Sequence, residues 1–129
     1  MTIESDYLDY LQWSHVSYSE ILTENFIRAN KDNVDWTGIS YRQKLSEKFI
    51  IEFQDLVDWH EISQSQVLSE EFIIKFQDKL NWSAISIYQK LSNEFIYEHL
   101  DKLNPYLLLK NKSMNLDVGL ETYLKLLVG

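Results

Sequence analysis

Cysteine is absent from all 129 residues. That excludes a disulfide framework, a thiolate nucleophile and any cysteine-held metal, and it fits a reducing compartment. Proline occurs once, at Pro105, and glycine three times, at the isolated positions Gly38, Gly119 and Gly129. Isolated glycines make no phosphate-cradling loop, and no G-x-S-x-G elbow is present. So few breakers fit helices joined by tight links. No apolar run approaches the ~20 residues of a membrane-crossing helix. The opening MTIESDYLDY is acidic where a secretory leader is basic and then apolar. A cytoplasmic location without a membrane partner is expected. Basic residues are missing in blocks: residues 1–27 carry five acids and no Lys or Arg, and residues 49–74 carry six acids and again none. With a net charge of −8, direct binding to a phosphate backbone is not expected.

What is present is a period. Trp13, Trp36, Trp59 and Trp82 stand 23 residues apart. Between them runs the pattern W-x-x-[VI]-S-x-x-x-x-L-[ST]-x-x-F-I-x-x-x-x-D-x-[VL]-[DNQ]-W, with small departures. Val16, Ile39, Ile62 and Ile85 occupy one recurring place, Ser17, Ser40, Ser63 and Ser86 the next, and Phe26, Phe49, Phe72 and Phe95 a third. Self-similarity at a fixed period of this size marks a repeat architecture. The expected units are 13–35, 36–58, 59–81 and 82–104, with a leading half-unit over 1–12 and capping helices over 105–129. Ile3, Asp9 and Leu11 stand one period before Phe26, Asp32 and Val34, which defines the half-unit.

Each unit splits into two short helical patterns. Trp36, Ile39, Ser40 and Gln43 follow the i, i+3, i+4, i+7 spacing of one helix face. Asp35, Asp58 and Asn81 precede their tryptophans as N-caps, and Asp58 with Glu61 has capping-box spacing. A start further back, at Asp55 and its equivalents, is the alternative. The second helix opens on Thr23, Ser46, Ser69 or Ser92, with acids in its first turn facing the positive end of the helix dipole. Neither helix exceeds roughly ten residues, too short to persist alone in water. Stacked pairs bury their faces together, so the expected fold is all-α: an α-solenoid of helix-turn-helix repeats. The Trp, Phe, Ile and Leu stripe is expected to be core. The recurring serine is read as a small residue that lets helices approach, and Asp32, Asp55, Asp78 and Asp101 as acceptors of backbone N–H groups in the turn. After Pro105 the tail is unusually apolar. A helix from Leu116 would place Leu116, Leu120, Tyr123, Leu124 and Leu127 on one side. It either folds across the last repeat or offers an apolar patch to a second subunit.

No catalytic constellation emerges. His15, His60 and His99 fall at different places in the repeat, and no histidine pair has metal-binding helical spacing. No catalytic residue, cofactor or metal is therefore expected. Positions five and six after each Trp should face outward. They hold Tyr18, Tyr41, Arg42 and Tyr88, residue types favoured as interface anchors; the alternative is that the rings lie half-buried between neighbouring units. Glu52, Glu61, Glu70 and Glu71 supply an acidic surface. That surface would draw in a basic protein partner, or simply keep the chain soluble.

The stretches W36-TGIS-YRQK-LSEKFIIEFQD and W59-HEIS-QSQV-LSEEFIIKFQD resemble short helical repeats of uncharacterised giant-virus, bacteriophage and bacterial proteins. The resemblance covers residues 13–104. The first unit departs from it, with Arg28 to Lys31 (RANK) where later units read I-x-F-Q, and the tail departs further. The resemblance implies a non-catalytic binding scaffold, and with the acidity it points to a viral or phage inhibitor of a host nucleic-acid enzyme. The alternative is a self-assembling structural protein that dimerises through its tail.

Overall fold

The computed structural model describes residues 8–129. Among the described residues there are ten α-helices and no strand. They are α1 (Tyr10–Ser19), α2 (Glu24–Ala29), α3 (Trp36–Arg42), α4 (Glu47–Glu52), α5 (Trp59–Ser65), α6 (Glu70–Lys75), α7 (Trp82–Tyr88), α8 (Asn93–Glu98), α9 (Pro105–Lys110) and α10 (Val118–Val128). Two compact units divide the chain, Met1–Ile62 and Ser63–Gly129. In the first unit α1 packs on α3. In the second, α7 packs on α9 and α9 on α10.

Helix starts follow the caps. Asp35 accepts from the N–H groups of Thr37 and Gly38, Asp58 from His60 and Glu61, and Asn81 from Ala84. These helices therefore begin at the tryptophan and not earlier. Thr23, Ser46, Ser69 and Ser92 accept from Phe26, Phe49, Phe72 and Phe95. The first helix differs from expectation. Asp9 is its N-cap, in a capping box with Gln12 at 2.9 Å both ways, so residues 10–12 belong to α1. Residues 1–7 of the expected half-unit, including Ile3, lie outside the described residues. The recurring Asp32, Asp55, Asp78 and Asp101 are exposed. The turns are closed instead by main-chain bonds from Val34, Val57, Leu80 and Leu103 to Asn30, Phe53, Phe76 and His99. A single helical turn positions these carbonyls without side-chain help.

The centre of each unit is isoleucine. Ile27, Ile39, Ile50 and Ile62 in the first, and Ile73, Ile85 and Ile96 in the second, are 0% exposed. Tryptophan is less central than expected: Trp13 is buried, but Trp36, Trp59 and Trp82 are half-buried. Each of these three rings turns its indole N–H to a carbonyl five residues back, Lys31, Gln54 or Gln77, at 2.9 Å. A buried indole needs such a partner, and the loop supplying it lies at the surface. The inner ring faces pack on phenylalanine, with Trp36 at 5.2 Å from Phe53 and Trp82 at 6.5 Å from Phe95.

The buried serine does more than save space. Ser17 donates to the Trp13 carbonyl at 2.7 Å and accepts from the Asp35 N–H at 2.9 Å. Ser86 repeats both bonds with Trp82 and Asn104. Ser40 accepts from Asp58, and Ser63 from Asn81. A second buried polar residue completes the joint. In the first unit the Gln43 amide donates to the carbonyls of Ser17 and Glu20 and accepts from the Leu22 N–H. In the second, Gln89 donates to Ser63 and Gln66 and accepts from Leu68. Asn111 then donates to Ser86 and Gln89.

The chain's last helix pair obeys the same pattern with a longer loop. Leu108 takes the isoleucine place and is 0% exposed. The cap of α10, Asp117, comes two residues later than the period places it. Its N–H still bonds Asn93, the first residue of α8. Here the expected stripe is corrected: Leu120 and Leu124 are 0% exposed, whereas Leu116 precedes the helix and Tyr123 and Leu127 are exposed. Glu121, paired with Lys125 at 2.9 Å, stands four residues after its cap, where Ile96 stands after Ser92. A polar residue thus occupies that place in the final helix.

Replacing Gln89 with leucine removes two donors to the Ser63 and Gln66 carbonyls and the acceptor of the buried Leu68 N–H. The expected loss is at least about 2 kcal/mol, read as a lower urea midpoint at unchanged slope. Exposed Lys90→Leu, its neighbour, leaves the midpoint nearly in place. Equal midpoints for Gln89→Leu and the unaltered chain would refute the role given to this amide.

Candidate functional site

The buried serines and glutamines are occupied by the chain's own bonds, so candidate contacts lie outside. Among the described residues no group of three or more His, Cys, Asp or Glu side chains is placed to hold a metal ion. No helix among them is long and apolar enough to cross a membrane.

Three of the expected contact residues come together in the first unit. Tyr18 on α1 and Tyr41 on α3 meet with ring centroids 6.4 Å apart, tilted by 53°. Arg42 donates from Nε to the Tyr18 carbonyl at 3.2 Å and lies 5.6 Å from the Tyr41 ring. Tyr18 is half-buried and Tyr41 exposed. The ring of Tyr18 rests over Gly38, where a Cβ would come within 2.7 Å of it. Here glycine is required by the close approach and not by backbone shape. Burial, then the charges of Asp35, Glu61 and Asp58, hold the Tyr18 hydroxyl above its usual pKa. Glu61 is thus part of this tyrosine's surroundings. One of its carboxylate oxygens, Oε2, is buried with no hydrogen-bond partner.

Tyr88, in the second unit, is 50% exposed. It borders an open groove of about 270 Å³ with Ile87, Lys110, Lys112 and Ser113, so its neighbourhood is basic and not acidic.

The acids on the second-helix row are not equivalent. Glu52 forms a two-pronged pair with Arg28, both bonds 2.8 Å. That guanidinium also donates to Asn25 and lies 5.6 Å from the Phe49 ring and 6.0 Å from Phe53. Glu70 accepts from the N–H and hydroxyl of Ser92 at 2.6 and 3.1 Å, as Glu24 does from Ser46 at 2.7 and 3.0 Å. These first-turn acids clasp the cap of the following helix pair as well as facing the dipole. The signal was in the sequence, since an acid follows Thr23, Ser46 and Ser69 at the same place. Glu71 is exposed and borders a groove with Phe95 and Glu98.

The Arg28–Glu52 pair yields a pH prediction. Its hydrogen bond to Arg28 lowers the Glu52 pKa, and the bond to Glu52 raises that of Arg28. A lowered carboxyl pKa contributes stability above the unfolded value and loses it as pH falls through the folded one. Carbon-detected titration is expected to place Glu52 below the ordinary glutamate range, and Arg28→Gln to return it there. An unchanged Glu52 titration in that variant would show that the pair does not form. Comparison with protein-family models, curated proteins and solved structures finds no match for the chain.

Proposed function

We propose that this chain is a non-catalytic α-solenoid scaffold that binds a protein with a basic surface in the cytoplasm. One observation carries the reading. The serines, glutamines and caps that recur serve the fold, whereas the outside places of Tyr41, Arg42, Tyr88 and Glu71 are not filled alike in all four repeats. In repeat proteins the constant residues build the frame and the variable ones meet the partner. The acid-only stretches 1–27 and 49–74 favour a basic partner through long-range attraction. Together with the viral-type repeat, they favour an inhibitor whose carboxylates occupy a basic channel of a host nucleic-acid enzyme.

A second reading has its own support. On α10, Val118 is 81% and Leu126 75% exposed, with Leu127 and Val128 about half exposed. Exposed apolar side chains of this number suit self-association.

Affinity capture with mass spectrometry tests the first reading. A basic partner is expected, released as salt rises from about 0.05 to about 0.5 M and the screening length shortens. Retention of only acidic proteins, or binding indifferent to salt, counts against it. Sedimentation equilibrium tests the second: association that Leu126→Lys abolishes supports it, and a monomer at the highest soluble concentration removes it.

A further inference from the structure

One repeat position exists in two states within the chain. In the first unit Arg28 fills it, its guanidinium over Phe49 and Phe53 and paired with Glu52. Two periods on, Ile74 stands in place of Arg28, while Phe95, His99 and Glu98 stand in place of Phe49, Phe53 and Glu52. The aromatic floor and the carboxylate persist, and the cation is gone. What remains is an open groove of about 470 Å³, with Ile74 and Phe95 below and Glu71, Glu98 and His99 around it. Phe95 is buried beneath, its ring 4.4 Å from His99. Glu70 also borders the groove, but its oxygens are bonded to Ser92. Lys75 reaches the rim, and its ammonium lies 5.6 Å from the Phe76 ring. Glu71 and Glu98 are exposed.

We propose that this groove receives an arginine side chain of a basic partner protein, its guanidinium against Phe95 and paired with Glu98. The inference rests on the reading of the chain as a binder of basic surfaces, and names the contact. A guanidinium suits the place for three reasons. It is planar and weakly hydrated, so it lies on a ring at little desolvation cost. Its fork of donors matches a carboxylate two-for-two. The chain itself uses this arrangement at Arg28. Lysine has the charge but neither the plane nor the fork.

The test uses the full chain and three blocked tripeptides, Gly-Arg-Gly and its lysine and citrulline counterparts, followed by amide shifts. The arginine peptide is expected to move residues 70–75 and 94–99 in a saturable way, the lysine peptide less, and the uncharged citrulline peptide not at all. Glu98→Gln weakens the arginine peptide by about two- to fivefold, the range for an exposed ion pair. Ile74→Arg, which supplies its own guanidinium, abolishes binding, whereas Ser83→Arg, adding the same charge on α7, does not. Should Ile74→Arg fail to fold, Glu98→Gln decides alone. Equal shifts with arginine and citrulline, shifts elsewhere, or affinity untouched by Glu98→Gln overturns the site. Salt-sensitive binding of an arginine oligomer separates the two levels. If the oligomer binds the unaltered chain and Glu98→Gln equally, the groove is refuted and the basic partner stands. If it does not bind the unaltered chain, both fall.

Discussion

A helix of six or seven residues is almost all ends. Its first four N–H groups and last four carbonyls have no partner within the helix, and here they lie beside a buried core. Leaving them unpaired costs more than the short helix gains. The fold depends on the side chains that answer this demand. Asp35 and Ser46 serve the amino ends. At the carboxyl ends Gln43 takes the carbonyls of Ser17 and Glu20. Each amino end is answered by its own cap, but the carboxyl end of α1 is answered from the end of α3, so that helix pair is completed by its successor. Isoleucine burial supplies the driving force, and the polar joint supplies the register.

The period, the second-helix caps and the apolar stripe were legible because each is a matter of residue type at a spacing, whereas spacing leaves the first-helix starts between two caps and misses that of α1. Asp before Trp and Ser or Thr three places before Phe hold those roles wherever they occur. The remainder depended on direction. Gln43 falls on the inward face by spacing alone, but residue type does not say that its amide reaches back across a whole helix pair. Ser17 reads as a gap-filler until its hydroxyl is seen with both a donor and an acceptor. Tryptophan, the loudest signal, lies nearer the edge than its regularity implied, because Nε1 must meet a loop carbonyl. For the candidate surface, the grouping of Tyr18, Tyr41 and Arg42 followed from one-period spacing on successive helices. The differing circumstances of Glu52, Glu61 and Glu70 did not, since their charges are alike and only their neighbours differ.

Position by position, the outside of the repeat has diverged while the joint has not. Arg28 and Ile74 occupy one register place, as do Gly38, Glu61 and Ala84. Gly38 makes room for the Tyr18 ring, whereas the same place holds His15 in the first repeat, Glu61 in the third and Ala84 in the fourth. Surface chemistry varies at places such as that of Arg28 and Ile74, which make none of the joint's bonds. The basic surroundings of Tyr88 and the carboxylates near Tyr18 show how differently the outward faces of two repeats are furnished.

The Ser–Gln joint also governs how such a chain can lengthen or shorten. Deleting or duplicating one full period of 23 residues keeps serine and glutamine in register, since both recur at that spacing. Removing a few residues from inside a helix rotates Ser and Gln away from their partners and strands several buried groups together. Slack is tolerated only where the chain loops between helices, as between α9 and α10, where two additional residues leave the Asn93–Asp117 bond in place. Whole periods are therefore the increments of length that keep the joint intact.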